Sequence, residues 1–397
     1  MKILHLSNVV GKFGGGVAQV VQALLSNQFK LGRNPELWFL GNKAQETELF
    51  NTFNIQTNSL SAIENPFFRL PYFFKKLRNI GDKDVVVHQH GVFLPISLLS
   101  LTSRKHVKVI ISPHGYLEPE KLKVSPIKKK LVLALFESKN LRNCHCLVAC
   151  SKKEAVSLRE FGLSQPIVIL PNGVSDSLVR KDISIEKKSD LKQQYGIEIN
   201  TKVLLFLSRI HPFKGLELFL KSILVIKDEF IKNDWLFVIA GIDELNHEAE
   251  LKIFVKDNDM DSIVKFIGPQ YNQDKINVFD AADCFVLPSR GENFGIAVIE
   301  ALARGLPVIT TTGTPWEELE TDSCGWWIER TQKDFVGTIL ELFSKDKSDL
   351  LEMGQNGINL VARKYTWSNI TLQSIHMYEW VLNDFNEEYQ KGFTLLK

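Results

Sequence analysis

Two basic residues, Arg209 and Lys214, lie five positions apart where an apolar segment ends and a helical one begins. The apolar run 202–208 predicts a buried strand, and the stretch from Gly215 onwards predicts a helix. Two cations at the end of such a strand can bind a diphosphate, because ammonium and guanidinium groups donate charged hydrogen bonds to phosphate oxygens. The alternative is an Arg and a Lys that are merely solvated in a loop. Their position at the strand end favours phosphate.

A second polar loop, residues 288–295, also follows a predicted strand and leads into a helix. It contains Glu292, and Glu300 lies about two helical turns further on. Carboxylates suit sugar and ribose hydroxyls because they accept two hydrogen bonds from a diol, and the N–H groups where the helix starts, near Phe294 and Gly295, can bind an anion. The alternative is two surface acids, since a separation of eight residues does not by itself bring them to one site. Glu300 stands in an apolar segment and therefore needs a partner.

A glycine cluster follows the first predicted strand, with glycines at positions 11, 14, 15 and 16. Glycines between a strand and a helix let the backbone approach a ligand, and the helix N-terminus favours an anion. The spacing is not that of a dinucleotide-binding loop. A tight strand-to-helix turn is the equally good alternative.

The chain has 397 residues, of which 44% are hydrophobic and 24% charged. This composition predicts two globular domains and excludes a disordered or collagen-like chain. No apolar run approaches the roughly 18 residues of a membrane-spanning helix, and the apolar start is too short for a signal peptide, so we expect a cytoplasmic protein. The five cysteines lack metal-site spacing, and we expect them to be reduced and buried.

Charge is unevenly distributed along the chain. Residues 1–180 contain 24 Lys and Arg against 12 Asp and Glu, whereas residues 181–397 contain 24 against 34. The basic half suggests a phosphate-bearing partner. Nucleic acid is disfavoured, because no zinc-finger or RNA-binding aromatic motif is present.

Strand and helix patterns alternate in two series, and the strands are continuously apolar, which predicts two doubly wound parallel α/β domains. We expect an N-terminal domain over residues 1–172, a linker over 173–200 and a C-terminal domain over 201–366, with a cleft at the strand ends. The predicted helix from Trp367 to about Tyr389 has no following strand in this interpretation. We expect it to pack back on the N-terminal domain.

The Arg209/Lys214 pair followed by Glu292 and Glu300 resembles the retaining nucleotide-sugar glycosyltransferases of family four (glycosyl transferases group 1), which have the GT-B fold. Supporting segments occur in the family's order over nearly the whole chain. They are Gly14–Gly16, Ser112–Gly115, Leu170–Val174, Phe266–Gly268 and Tyr365–Trp367.

The resemblance implies a role for each matching residue. Arg209 and Lys214 would bind the donor diphosphate and stabilise it as a leaving group. Glu300 would bind the ribose and Ile267 the base, whereas Glu292 would bind the donor sugar. Gly15 and Gly16 would approach the diphosphate and the acceptor, and His114 would lie by the donor sugar, near the reacting centre. The remaining implied donor-binding residues are Asn293, Phe294, Gly295 and Ile296.

The resemblance also implies retention of anomeric configuration without a covalent nucleophile. No metal or other cofactor is expected, because Arg209 and Lys214 can supply the charge. Neither Asp82 and Asp84 nor the aspartates at 257–261 resemble a metal-binding element after a strand.

Two segments of the basic half mix aromatic or apolar residues with lysines, residues 65–78 and 121–130. Such segments suit an anionic membrane surface, and the alternative is ordinary helices with one solvated face. We therefore expect a glycosyltransferase at the inner face of the cell membrane that uses a UDP-sugar, with a GDP-sugar second. Its acceptor would be a lipid-linked or growing glycan in surface polysaccharide or lipopolysaccharide biosynthesis. The rival interpretations are a nucleotide-sugar epimerase of the same fold and a non-catalytic sugar-nucleotide-binding protein.

Overall fold

A computed structural model describes residues 1–7, 15–39, 56–59, 71, 75, 84–101, 107–180 and 185–396. They divide into two compact units. Unit 1 consists of Met1–Gly173 and Trp367–Lys397, and unit 2 consists of Val174–Thr366.

The strands of the described residues are labelled in chain order. They are β1 (Lys2–Ser7), β2 (Glu36–Phe39), β3 (Gln56–Ser59), β4 (Val85–His90), β5 (Val107–Ser112), β6 (Cys146–Ala149), β7 (Ile167–Ile169), β8 (Lys202–Leu207), β9 (Trp235–Ala240), β10 (Val264–Gly268), β11 (Cys284–Leu287), β12 (Val308–Thr311), β13 (Gly325–Ile328) and β14 (Thr394–Leu396).

The helices are labelled in the same way. They are α1 (Gly15–Lys30), α2 (Ser97–Leu101), α3 (Pro119–Leu122), α4 (Pro126–Val132), α5 (Ser138–Asn143), α6 (Lys152–Glu160), α7 (Ile185–Gln194), α8 (Leu216–Val225), α9 (Lys227–Lys232), α10 (His247–Asp257), α11 (Asn272–Ala281), α12 (Ile296–Ala303), α13 (Glu318–Thr321), α14 (Gln332–Ser344), α15 (Lys347–Lys364) and α16 (Trp367–Leu382). A π-helical turn (Leu133–Glu137) joins α4 to α5, and 3₁₀ turns occupy Asp176–Leu178, Pro212–Lys214 and Glu387–Tyr389.

Each unit is built on one sheet. The sheet of unit 1 has the strand order β14-β7-β6-β5-β4-β1-β2-β3, and that of unit 2 has the order β10-β9-β8-β11-β12-β13. Every pairing between these strands is parallel except that of β14 with β7. All residues of β4, β6, β11 and β12 are buried, because helices cover both faces. Two doubly wound α/β units are therefore confirmed.

Helix α16 packs on the sheet of unit 1, where Met377 and Trp380 share a buried cluster with Val86 and Ile110. The prediction that no strand follows this helix is wrong. The helix ends at Leu382, and the short strand β14 then pairs antiparallel with β7. A sheet edge offers unpaired backbone groups, and three residues suffice to cover it.

The stretch predicted as a linker, residues 173–200, instead belongs to unit 2 from Val174 onwards. Val174 forms a β-bridge with Thr366, and helix α7 directs Lys188 and Lys192 to the carboxylate of Asp283, at 2.7 and 3.3 Å. Its polar composition therefore reflects a surface helix whose lysines reach inward.

Several smaller features complete the comparison with the sequence. The pattern over residues 215–230 predicts one helix, which the structure breaks at Ile226 into α8 and α9. Strands β3 and β13 were not predicted. The five cysteines are free and buried, as expected. Among the described residues, no helix is both long and apolar enough to cross a membrane.

Candidate active site

Lys214 lies in the 3₁₀ turn after β8, is only 9% exposed, and places its Nζ 2.5 Å from Oε1 of Glu292. The next residue, Gly215, has a φ of 80°, and a Cβ there would stand 2.1 Å from the carbonyl oxygen of Pro288. Only glycine permits this backbone-to-backbone contact between the loops after β8 and β11. The contact brings the predicted cation and the predicted carboxylate together.

Arg209 has a different partner. Its Nη1 donates to both carboxylate oxygens of Glu244, at 2.9 and 2.8 Å, and its side chain is 59% exposed. Arg209 and Lys214 therefore each contact a separate carboxylate. A carboxylate is an oxyanion, so both cations are placed where an anionic oxygen binds.

The loop that carries Glu292 is anchored at its end. Trp316 donates from its indole Nε1 to the carbonyl oxygen of Phe294 at 2.6 Å, and the Phe294 ring packs on Trp316 and Tyr365. Gly295, with a φ of 87°, is the N-cap of α12 and has no capping side chain. The first N–H groups of α12, from Ile296 onwards, therefore point out of the helix without a side-chain acceptor from the cap. Asn293 lies in this loop and is half-buried.

Glu300 lies in α12 and contacts Lys275 of α11 at 2.5 Å. The prediction that this acid needs a partner is confirmed, although the partner could not be named from the sequence. Glu292 and Glu300 thus have different cationic partners within unit 2. Ile267 is half-buried near the end of the edge strand β10.

Of the predicted glycine cluster, Gly15 and Gly16 begin α1, whereas Gly11 and Gly14 lie outside the described residues. Gly16 is exposed, and a Cβ there would meet no atom within 4 Å. Packing within the described residues therefore does not require a glycine at this position. Of the predicted aromatic and basic segment 65–78, only Pro71 and Lys75 are described, and both are exposed.

His114 follows β5 in unit 1 and has a φ of 54°. The next N–H, of Gly115, donates to Oε1 of Glu154 at 2.5 Å, and Oε2 of Glu154 accepts from the N–H of Cys150 at 2.7 Å. Ser151 caps α6 by accepting from the N–H of Glu154. One buried carboxylate thereby holds the turn that carries His114.

The ring of His114 ends a row of hydrogen-bonded side chains, which we call the histidine row (His5, His90 and His114). Nε2 of His114 lies 3.1 Å from Nδ1 of His90, and Nε2 of His90 lies 2.9 Å from Nδ1 of His5. Nε2 of His5 lies 3.0 Å from Oε1 of Gln28. Burial lowers the pKa of both His5 and His114 from 6.5 to about 4, and that of His90 also lies well below 6.5. The row is therefore uncharged at neutral pH.

A fourth histidine, His88, packs beside the row with its ring 4.2 Å from that of His90. Its Nδ1 lies 2.7 Å from the Tyr378 hydroxyl and its Nε2 lies 2.7 Å from the Ser112 hydroxyl. His5, His88 and His90 have ring nitrogens within 4.8 Å of one another, as metal ligands would. All six of these nitrogens already have hydrogen-bond partners, so the donor set fits a hydrogen-bonded network.

A cavity of about 20 Å³ adjoins these rings, with room for a single water. Its polar lining includes His88, His90, Ser112 and His114, and α16 contributes Trp367 and Ile370.

Sequence reasoning missed the partners of the predicted residues. Glu244 and Lys275 come from elements far along the chain from Arg209 and Glu300. His90 could have been found, because His88 and His90 are polar residues two apart at the end of a buried strand and so share one face.

Two family models match the chain, one over each half. Residues 14–178 match the model described as Glycosyltransferase Family 4, and residues 187–360 match the model of Glycosyl transferases group 1. Together they span most of both units in the order that the sequence motifs indicated. The chain belongs to the family-four glycosyltransferases and is a transferase enzyme.

Individual proteins agree with this assignment. An uncharacterized glycosyltransferase of Methanocaldococcus jannaschii is 24% identical over 384 residues, which are 92% of this chain and 94% of that protein. Anabaena HepE has been solved with UDP and with UDP-glucose. Its UDP complex matches this chain with a TM-score of 0.77 at 18% identity, and the match covers 96% of this chain and 100% of the HepE chain. WaaG, a glycosyltransferase involved in lipopolysaccharide biosynthesis, has a TM-score of 0.69 at 14% identity, covering 95% and 99%. The fold is GT-B, as expected.

Proposed function

We propose that this enzyme transfers a sugar from a UDP-sugar to a glycan acceptor, with a GDP-sugar as the second candidate donor. The observation that carries the proposal is the Lys214–Glu292 contact beside the uncapped start of α12. A cation, a carboxylate and a row of N–H groups are the chemistry that a diphosphate and a sugar require. The UDP and UDP-glucose complexes of HepE support UDP as the nucleotide.

In this proposal the diphosphate binds Lys214 and Arg209, and Glu292 accepts hydrogen bonds from the donor sugar. Glu300 accepts from the ribose hydroxyls, which requires a shared or displaced contact with Lys275. The cations stabilise the charge that grows on the leaving diphosphate, so their contribution is electrostatic.

We further propose that transfer proceeds with retention through a front-side displacement. The bond from the anomeric carbon to the phosphate oxygen breaks, and the acceptor oxygen bonds to the same face of that carbon. The leaving phosphate oxygen takes the proton of the acceptor hydroxyl. Proton NMR of the new glycosidic linkage in the product tests this, and an inverted anomer would overturn it.

Lys214 and Arg209 also lead us to propose transfer without a divalent metal, because they supply the positive charge that a metal supplies elsewhere. UDP release from UDP-glucose in the presence of acceptor should be equal in EDTA and in magnesium. Strong inhibition by EDTA that magnesium or manganese reverses would contradict this proposal.

The donor experiment is thermal stabilisation by UDP-, GDP-, ADP- and dTDP-sugars, measured for the unmodified chain and for Glu300→Ala. A ligand at 100 times its Kd adds about 2.7 kcal/mol to the unfolding free energy. We expect UDP-sugars to stabilise the unmodified chain and to stabilise Glu300→Ala less. The control is Glu329→Ala, in the loop after β13. Stabilisation by another nucleotide class, or by none, would contradict UDP as the donor.

For the acceptor we propose a lipid-linked or growing glycan of a surface polysaccharide or lipopolysaccharide, reached at the inner face of the cell membrane. The support lies in α4, which buries none of its residues. Ile127 and Leu131, four residues apart and so on one face, are 82% and 59% exposed, and Leu135 is 69% exposed. Lys128 and Lys130 are exposed beside them, which matches an anionic lipid surface.

Vesicle flotation tests this membrane surface. We expect the protein to bind vesicles with anionic lipid and not neutral ones, and Ile127→Gln with Leu131→Gln to abolish binding. Ile253→Gln, at a site in unit 2 that is 61% exposed, is the control. Equal binding to both vesicle types, or to neither, would contradict the proposal.

A further inference from the structure

The direction of the hydrogen bonds in the histidine row decides the chemistry of His114. Each ring is uncharged and therefore carries a single N–H. Each link joins Nε2 of one ring to Nδ1 of the next, so one proton has to occupy each link. If His5 carries its proton on Nε2, then His90 and His114 also carry theirs on Nε2. If one ring carries its proton on Nδ1 instead, all three rings do.

Gln28 ends the row and sets this direction. Its Oε1 lies 3.0 Å from Nε2 of His5, and its Nε2 lies 3.5 Å from the hydroxyls of both Ser374 and Tyr378. Ser374 donates its proton to the carbonyl oxygen of Thr371 at 2.7 Å. The Ser374 oxygen can therefore only accept from Gln28, which requires the amide nitrogen of Gln28 on that side.

The Tyr378 hydroxyl is compatible with the same orientation. Burial raises the pKa of its hydroxyl, so the proton stays on the oxygen. The hydroxyl lies 2.7 Å from Nδ1 of His88, whose Nε2 lies 2.7 Å from Ser112. A proton donated to His88 leaves the Tyr378 oxygen as a second acceptor for the Gln28 amide nitrogen.

We propose that Gln28, His5 and His90 are positioning residues that hold His114 in one tautomer, with its proton on Nε2 and a bare acceptor at Nδ1. The two nitrogens lie on different edges of the imidazole, so Nδ1 faces away from the row. Among the described residues, Nδ1 of His114 has no hydrogen-bond partner in the structure. His114 consequently accepts a hydrogen bond from a substrate hydroxyl and does not donate one.

This inference deepens the proposed function and rests on it only in taking that hydroxyl to belong to a sugar. Helix α16 contributes Ser374 and Tyr378, so this helix sets the orientation of Gln28 on α1. A proton cannot pass inward beyond the amide of Gln28. His114 is thus a fixed acceptor rather than the end of a proton relay.

The test is long-range ¹H–¹⁵N correlation NMR of histidine-labelled protein at neutral pH, without ligand. Comparison with His114→Gln assigns the His114 signals. We expect a single pattern with the proton on Nε2 and an unprotonated Nδ1. A pattern with the proton on Nδ1, or fast exchange between the two tautomers, would overturn the proposal.

Two variants separate a positioning role from a merely structural one. Gln28→Leu removes the acceptor of His5, so we expect the His114 signals to move towards a mixture of tautomers. Asn27→Leu removes a neighbouring amide of α1 that bonds only the carbonyl oxygen of Ala23, and the His114 pattern should stay unchanged. An unchanged pattern in Gln28→Leu would overturn the assigned role of Gln28. If Gln28→Leu fails to fold, the tautomer of His114 in the unmodified chain still tests the proposal.

The NMR result does not depend on the donor. Failure of the proposed function would appear as no stabilisation by nucleotide sugars, with the His114 tautomer still readable. Failure of this inference would appear as the wrong tautomer, whether or not UDP-glucose is turned over.

Discussion

Polar side chains at the ends of the central strands are held differently in the two units. In unit 1 the rings of the histidine row and the amide of Gln28 are uncharged and bonded to one another. In unit 2 the cations Arg209 and Lys214 and the carboxylate Glu300 each contact a group of opposite charge. A neutral network fixes direction, because every proton has a defined place. Ion pairs fix position but leave charges that a ligand can exchange.

This difference suggests what each half of the molecule contributes. A diphosphate can replace a carboxylate at Lys214 or Arg209 without leaving the cation unpaired. The histidine row has no such freedom, since charging His5 or His90 would put a second proton on the Nδ1 that accepts from the next ring and would break that link. Acid should therefore act on unit 1, and salt or charge-removing substitutions should act on unit 2.

The largest expected effect is that of Lys214→Met on turnover. Removing a buried cation from the leaving group should lower kcat about 10²–10³-fold, as removal of one electrostatic catalytic contact does elsewhere. With UDP-glucose as the probe, kcat and kcat/KM should fall together, because the charge is needed in the transition state. Lys221→Met, an exposed pair with Glu217, is the control and should leave both unchanged. A rise in KM alone would mean that Lys214 only binds the donor.

The next effect is the acid sensitivity of unit 1. Since the pKa of His5 is lowered from 6.5 to about 4, the unfolded chain binds a proton in this interval that the native ring does not. The contribution of this ring to the unfolding free energy is therefore fully present above pH 6.5. It is lost as the pH drops towards 4, which lowers the unfolding free energy by about 3 kcal/mol for one such ring. His5, His90 and His114 share links, so their contributions will not simply add.

Hydrogen exchange measured by mass spectrometry separates the two units in this experiment. After correction for the intrinsic pH dependence of exchange, peptides of β1 and β4 should lose protection between pH 6.5 and 4.5. Peptides of β8 and β11 should lose less, because carboxylates titrate mainly below this range. Equal loss in both units would contradict the contrast between them.

A smaller effect is expected for Glu154→Gln, which is nearly isosteric. Glu154 accepts from the N–H groups of Gly115 and Cys150, and an amide NH₂ would face one of these donors. Leaving that buried donor unpaired should lower the unfolding free energy by about 1–3 kcal/mol, measured by urea unfolding. Glu160→Gln, exposed on the same helix, should stay within about 0.5 kcal/mol of the unmodified chain. If both variants lowered the unfolding free energy equally, Glu154 would not be the residue that holds the His114 turn.

Much of the fold could be predicted from local patterns. The apolar runs 107–112, 146–149 and 284–287 predict strands with the bounds observed for β5, β6 and β11, because a strand buried on both faces is apolar at nearly every position. Strand β14 was missed because three residues at a sheet edge carry no such pattern. The break at Ile226 was missed because the apolar residues continue through it.

The positions of the candidate residues at strand ends could be predicted from the sequence, but their partners could not. Chain position places Lys214 and Glu292 at strand ends, where ligands bind in such sheets. The choice of Glu244 for Arg209 and of Lys275 for Glu300 depends on which loops and helices lie side by side. The role of Gln28 was equally hidden, since a single glutamine within a helix has no distinguishing spacing.

The smallest effect is expected for Glu244→Gln. Arg209 and Glu244 are 59% and 35% exposed, and such pairs contribute about 0–1 kcal/mol, so the unfolding free energy should barely change. The affinity for UDP should rise up to about fivefold, because Arg209 no longer exchanges a carboxylate for the phosphate. Calorimetric titration with UDP at low and high salt measures this, with Glu229→Gln of an exposed pair as the control. Weaker UDP binding by Glu244→Gln would mean that Glu244 itself contacts the donor. Arg209 would then not exchange the Glu244 carboxylate for a phosphate when UDP binds.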